Sequence, residues 1–250
     1  MALHETESIV LKSFNLSEAD RIVVFLTREQ GVVRGVAKGA KRLKSRFGST
    51  LEPFSTVQLS YFQKDERELV SIQHVELVTS CFAEASEPDF LKTFSYIAEL
   101  LIAFAPPHDP NETLYRMVKA CITTGGRGTE NLAAIALYFE LWLLRLGGYL
   151  PDWTRCRDCE RKFAEDETAS MQSGYALLCA KCQKAHGAMR ISPQHRKVFQ
   201  KILRSAPAEF VIFAKDHHVA VNEISGVMKR IVAVVTGREI AGEKSLAVNL

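Results

Sequence analysis

This sequence contains no run of about 18 apolar residues, so it offers no helix that would cross a bilayer. Its opening residues, Met1-Ala-Leu-His-Glu-Thr-Glu7, lack the cationic and apolar sections of a secretion signal. Cysteines are few, six in 250 residues, and without a signal they point to a reducing compartment, where paired cysteines more often hold metal than each other. A cytoplasmic protein is the resulting expectation. Catalytic constellations are missing too. Thr123-Thr-Gly-Gly-Arg-Gly128 imitates a phosphate loop in composition only, since no Gly-Lys-Ser/Thr follows it and no strand pattern precedes it. No nuclease-like pair of acids and no Ser-His-Asp arrangement stands out, and His217-His218 lies in a polar turn. These absences favour a binding protein over an enzyme. An accessory or catalytic subunit of a nucleic-acid enzyme, of nuclease or ligase type with an unrecognised site, is the alternative.

What is present begins with a stretch from Gly31 to Thr50. It holds six cations, Arg34, Lys38, Lys41, Arg42, Lys44 and Arg46, and no acid. The whole chain carries only +3, so the remainder stands at about −3 and the basic character is local. A local cation cluster suits a phosphate backbone. Phe47 offers a flat face on which a base could stack. The bland alternative is a solvated charge run. Its setting argues against that, because the loop leaves one apolar strand pattern and enters another.

Residues 1 to 80 read as five short strands. Ile9–Phe14 and Arg21–Thr27 flank the turn Asn15–Asp20, and Gly31 turns the chain into Val32–Ala37. After the basic loop, Val57, Leu59 and Tyr61 alternate with polar residues. In Leu69–Leu77 the apolar phase slips between Val70/Ile72 and Val75/Leu77, which predicts a bulge. The pattern allows a Greek-key barrel of the OB type or an SH3-like barrel.

From Ser86 the apolar period changes from 2 to 3.6. Helices are predicted from Ser86-Glu-Pro-Asp89 to Pro106, from Asp109–Glu112 to Gly125, from about Asn131 to Leu146, from Ser192-Pro193 onward, and over about Val221–Val235. The third is apolar nearly all round and is expected at the centre of a bundle. Single Cys81 and Cys121 read as core.

Cys156-Arg-Asp-Cys159 and Cys179-Ala-Lys-Cys182 are two Cys-x2-Cys knuckles 19 residues apart. Each places two thiolates on one side of a tight turn, and together they complete a tetrahedron around Zn²⁺. With Cys156, Cys159, Cys179 and Cys182 all bound, no position remains for water, so one structural zinc is expected. The charge of −2 on such a site is offset by the nearby Arg155, Arg157, Lys181 and Lys184, and His186 is a conceivable substitute ligand.

Several separate motifs agree on a family. Ser17-Glu-Ala-Asp-Arg-Ile-Val-Val-Phe-Leu-Thr-Arg-Glu-Gln-Gly31, Val36-Ala-Lys-Gly-Ala-Lys41, Ser45-Arg-Phe-Gly48 and Leu51-Glu-Pro-Phe54 resemble, in order and spacing, the RecO family of bacterial recombination mediators. Gly147-Gly-Tyr-Leu-Pro151, Phe163 and Gly174 around the knuckles are similar to its zinc-bearing members, with Ser173 where a second glycine is expected. The likeness spans about residues 5 to 190. It implies an OB-fold DNA-binding domain over 1–80, an α-helical domain over 81–150 and 191–240, and an inserted four-cysteine zinc module over 151–190. It further implies binding of single- and double-stranded DNA, strand annealing, and action with RecR that helps RecA displace single-strand-binding protein. The family's helical domain grips the acidic tail of that protein. Arg116, Lys119, Arg127 and Arg145 are the cations available between residues 110 and 150.

Overall fold

The computed structural model describes residues 2–64, 68–183 and 189–237. Those residues form two compact units, one of residues up to 132 and one from 133 on. The expected Lys184 and His186 contributions, and the tail beyond Gly237, lie outside the described residues.

The first unit starts with β1 (Ala2–Asn15), β2 (Arg21–Thr27), β3 (Gly31–Ala37), β4 (Thr56–Gln63) and β5 (Leu69–Thr79). They close a barrel in the order β1-β2-β3-β5-β4, with β3 parallel to β5 and every other pair antiparallel. This is the Greek-key connectivity of an OB barrel, not of an SH3-like one. Val10, Val23, Phe25, Val33, Val57, Leu59, Tyr61, Val70 and Ile72 fill its core. The predicted bulge is Gln73: Ser60 pairs with His74 but Tyr61 pairs with Ile72, so one residue is left over. A second bulge, at Leu11, bends β1 so that Ala2–Ile9 pairs with β4 and Ser8–Asn15 with β2. β1 thus begins seven residues earlier than the apolar run that announced it. Its early inward positions are Thr6 and Ser8, which are buried yet polar and give no hydrophobic alternation.

Closure of the barrel depends on Gly35, which lies opposite Val70 in the parallel pair. A Cβ there would come within 2.7 Å of the Ile72 side chain and 2.9 Å of the Val70 side chain. No larger residue lets the two strands approach this closely.

Three helices belong to the same unit: α1 (Phe82–Ala85), α2 (Pro88–Phe104) and α3 (Glu112–Gly125). Pro88 opens α2 at its first turn and Asn111 caps α3 by accepting from the Leu114 N–H. Phe90 and Phe94 of α2 stack on one another and pack against Phe54. Phe54 is held in a left-handed conformation (φ 66°) by its N–H bond to the Val10 carbonyl. Grouping by compactness therefore places α2 and α3 with the barrel, whereas the sequence pattern sets a boundary near residue 80. Cys81 and Cys121 are buried as expected, and burial pushes both thiols up to about 12.

Glu7 of β1 fastens α3 to the barrel, accepting from Lys119 Nζ and the Tyr115 hydroxyl, each at 2.8 Å. The Lys119 bond is the largest influence on this carboxyl, and with the Tyr115 bond it outweighs desolvation and holds the group below its usual 4.5. A depressed folded-state pKa contributes stability that is present above the unfolded value and is lost as pH falls through the folded one. Wild type is therefore expected to lose stability below about pH 4.5. Glu7→Gln should lose a smaller amount over that window, as measured by urea unfolding at pH 3 to 7.

The second unit contains α4, which runs from Leu132 to Leu146 and lies in it from Ala133, and α5 (Pro193–Arg204), α6 (Pro207–Lys215) and α7 (His218–Thr236). Ile135, Leu137, Phe139, Leu141 and Leu144 of α4 are buried, as the all-round apolar pattern required. Ser192 caps α5 through a capping box with His195, whose Nε2 also meets Glu223 of α7. Helix α6 was not expected; it starts on Pro207 and is only nine residues long. Of the pair expected in a turn, His217 sits in one, with its ring against Phe213 at 4.2 Å between centroids, whereas His218 is the first residue of α7. Three short strands, β6 (Ala169–Met171), β7 (Leu177–Leu178) and β8 (Arg190–Ile191), form a sheet in the order β7-β6-β8 beside the knuckles. No helix among the described residues is long and apolar enough to cross a membrane.

Candidate nucleic-acid interface and metal centre

The basic loop joins β3 to β4 and consists of consecutive turns. It is pinned at its start: the Gly39 N–H donates to Asp20 Oδ1 at 2.8 Å and the Lys41 N–H to the Ala19 carbonyl at 3.0 Å. The Lys41 ammonium reaches the Ser17 carbonyl at 3.2 Å. The Ser17–Asp20 turn that carries part of the family likeness is therefore the loop's seat. Gly39 occupies the left-handed region (φ 73°), which glycine adopts without strain.

Arg34, Lys38, Lys41, Arg42, Lys44 and Arg46 are all exposed. The structure thus presents all six cations on one strand and the loop that follows it. Arg46 is partly committed, donating to the Ile72 carbonyl at 3.2 Å with its guanidinium 4.9 Å from the Phe47 ring centroid.

Phe47 requires a correction. It is 1% exposed and belongs to the barrel core with Leu51, Val57 and Val70. Its faces are in contact with protein and cannot receive a base. Anchoring the loop from below is its role, and the apolar side chain that the loop displays instead is Leu43.

The four cysteines converge as the spacing demanded. Their Sγ atoms all lie within 4.8 Å of one another, and those of Cys159 and Cys179 are 3.9 Å apart. Ligands at about 2.3 Å in a tetrahedron would be about 3.8 Å apart, so the cluster fits a four-coordinate metal ion. Cys156 and Cys179 are buried, Cys159 is exposed and Cys182 half-buried. For Cys179, burial opposes ionisation, but the Cys182 N–H and the Arg161 guanidinium outweigh it and bring the thiol down to about 6. Burial likewise opposes ionisation of Cys156, and N–H groups of Cys159 and Cys179 win, so its pKa is also lowered. Cys182 goes the other way, pushed up to about 12 by its bonds to the Cys179 and Cys159 sulfurs. The surroundings therefore favour thiolates at Cys156 and Cys179, and a thiophilic cation would have to displace the proton of Cys182.

The charge compensation differs in part from expectation. Arg155 is paired with Asp152. Arg161 bonds to Cys179 and is held in a two-pronged pair with Glu167 at 2.6 and 2.8 Å. Arg161 lies five residues beyond the first knuckle's start, and nothing in its spacing singled it out. The module is tied to α5 by Trp153, stacked on Phe199 at 4.7 Å, and by buried Arg196. Arg196 donates to the carbonyls of Ala164 and Glu167 at 2.6 Å each and lies over Phe163.

Of the helical cations, Lys119 is committed to Glu7 and Arg145 lies over Trp142. Arg116 and Arg127 are both exposed. Thr123–Gly128 closes α3 and leads toward α4, a connection between helices as read.

A family model described as Recombination protein O N terminal matches residues 1–81, and Recombination protein O C terminal matches 91–223. The chain is 31% identical over 209 residues to the DNA repair protein RecO of Koribacter versatilis, covering 83% of each chain. It is 30% identical over 208 residues to that of Symbiobacterium thermophilum, covering 81% of each. With the protein of the same name from Bifidobacterium animalis subsp. lactis it shares 35% over 173 residues, 68% of this chain and 71% of the relative. On both halves and at these identities, the chain belongs to the RecO family, a family of recombination mediators in DNA repair and not of enzymes.

Proposed function

We propose that this protein is a recombination mediator that binds single- and double-stranded DNA through the loop between β3 and β4 and anneals complementary strands. With RecR it helps RecA load onto DNA coated with single-strand-binding protein, whose acidic tail docks on the helical part of the chain. The protein works in the cytoplasm at the nucleoid. The observation that carries this reading is the set of exposed cations, Arg34 on β3 and Lys38, Lys41, Arg42, Lys44 and Arg46 on the loop that follows, which is seated by Asp20 and anchored by Phe47. Such a strip can track phosphates without reading bases, which is what a mediator acting on any sequence needs. Annealing then follows from charge. Two strands neutralised on one basic surface repel each other less, and the bases pair because the protein holds only the backbone.

Cys156, Cys159, Cys179 and Cys182 hold one Zn²⁺, which serves as a cross-link between the two knuckles. These four residues fill the coordination shell, and Arg161 offsets part of the charge.

The test is annealing of two complementary oligonucleotides by the protein alone, with and without Mg²⁺ and ATP. Annealing in both conditions, with intact strands and no nucleotide hydrolysis, is the expected result. Cleavage, joining or ATP turnover would favour the nucleic-acid enzyme instead.

A further inference from the structure

Leu43 is the one large apolar side chain among the described residues with no burial at all, at 102% relative exposure. It stands in the middle of the cation run, between Arg42 and Lys44. The Ser45 N–H bonds to the Arg42 carbonyl at 2.9 Å, so Leu43 and Lys44 are the two central residues of a tight turn, with Leu43 at its first corner. The turn is held on both sides. Lys41 is fastened to Ala19 and Ser17 before it, and Arg46 and Phe47 to Ile72 and the barrel core after it. A leucine projected this way is not a floppy residue on a mobile strand. It is an apolar point on a braced turn, flanked by two groups that seek phosphates.

We infer that Leu43 is a wedge that enters between adjacent bases of the bound DNA and unstacks that step. This deepens the DNA-binding reading above and rests on it. The chemistry is that of an aliphatic side chain inserted between base planes while neighbouring cations hold the phosphates on either side. Lys41, Arg42 and Lys44 supply such cations, and no acid lies between Arg34 and Arg46 to repel the backbone. An apolar contact of this kind is indifferent to base identity, because every base has a π-face. It also assists annealing, since a strand whose stacking is broken at intervals presents its pairing edges to a second strand.

The experiment places 2-aminopurine, whose fluorescence rises when it is unstacked, at successive positions of an oligonucleotide bound by the full-length protein. Wild type, Leu43→Ser, Leu43→Met and the triple variant Lys41→Ala/Arg42→Ala/Lys44→Ala are compared. Wild type should raise the fluorescence and Leu43→Met should preserve the rise. Leu43→Ser should abolish it and weaken binding about tenfold, the loss of one buried aliphatic contact, with the salt dependence of binding unchanged. The triple variant should show a salt slope smaller by about 2. Because Leu43 is fully exposed, its variants should unfold at the wild-type temperature. Tight wild-type binding with no fluorescence rise, or an equal rise with Leu43→Ser, overturns the wedge and leaves DNA binding standing. No binding of DNA by wild type overturns both. If Leu43→Ser loses only binding of an acidic, apolar-tipped peptide, the residue is a protein contact and the wedge is again refuted.

Discussion

Replacement of Cys156 by Ser is expected to take the metal content from about one ion per chain to near zero and to lower the unfolding temperature of the second unit. Cys156 is wholly buried and accepts the Cys179 N–H at 3.4 Å, so its sulfur serves both the ion and the second knuckle. Structural zinc contributes an apparent 10–16 kcal/mol or so in small modules. Here Trp153 and Arg196 retain part of the packing when the ion goes. Even about 3–5 kcal/mol of that loss lowers the midpoint by on the order of 10 °C in a domain of this size. The barrel should remain folded, since its core contains no cysteine. Metal analysis of the purified protein and calorimetry with and without a chelator check both points. A wild-type protein that unfolds identically after the metal is removed would contradict the assignment.

The second large effect separates two halves of one loop. Lys41, Arg42 and Lys44 are exposed, whereas Phe47 is in the core. If about four loop cations each meet a phosphate of a single strand, log Kd against log salt should have a slope of magnitude about 3, at roughly 0.7 per phosphate. Converting Lys41, Arg42 and Lys44 to Ala should reduce that magnitude by about 2 and weaken binding on the order of 100-fold at 0.1 M salt, equally on unrelated sequences. Thermal stability should scarcely move, because these side chains are on the surface. Phe47→Ala should do the reverse. It empties a site beneath Arg46 and beside Val57 and Val70, at a cost of about 3–5 kcal/mol in barrel stability. Its remaining folded fraction should show a salt slope near that of wild type. Urea unfolding and a salt titration of fluorescent oligonucleotide binding measure the two variants side by side. A triple variant with an unaltered slope would mean that the loop is only a solvated charge run.

Legibility in the sequence followed the physics of each signal. β4 announces itself by alternation and β2 and β3 by short apolar runs bounded by turns, so these strands and the Gln73 bulge could be read. The first seven residues of β1 could not, because burial there falls on Thr6 and Ser8. The cysteine ligands were legible because a knuckle is a local geometry set by two-residue spacing. Arg161 was not, since the chain must first fold back before its guanidinium meets Cys179. The loop cations were visible as a count, but no periodicity exists in a run of turns to say which side chain points inward. Hence Phe47 reads as a stacking platform and Leu43 draws no notice, and the structure exchanges their roles. The grouping of α2 and α3 with the barrel rests on partners distant in sequence, such as Phe54 with Phe90 and Glu7 with Lys119.

The central claim is that the loop between β3 and β4 makes this protein a mediator on coated DNA. Its most direct measurement is the annealing rate of complementary strands saturated with single-strand-binding protein, for wild type and the Lys41/Arg42/Lys44 triple alanine variant, with and without RecR. Wild type should anneal the coated strands without hydrolysing nucleotide, and the triple variant should anneal them far more slowly at 0.1 M salt while remaining folded. Equal rates for the two proteins, or no annealing of coated strands by wild type, would contradict the account.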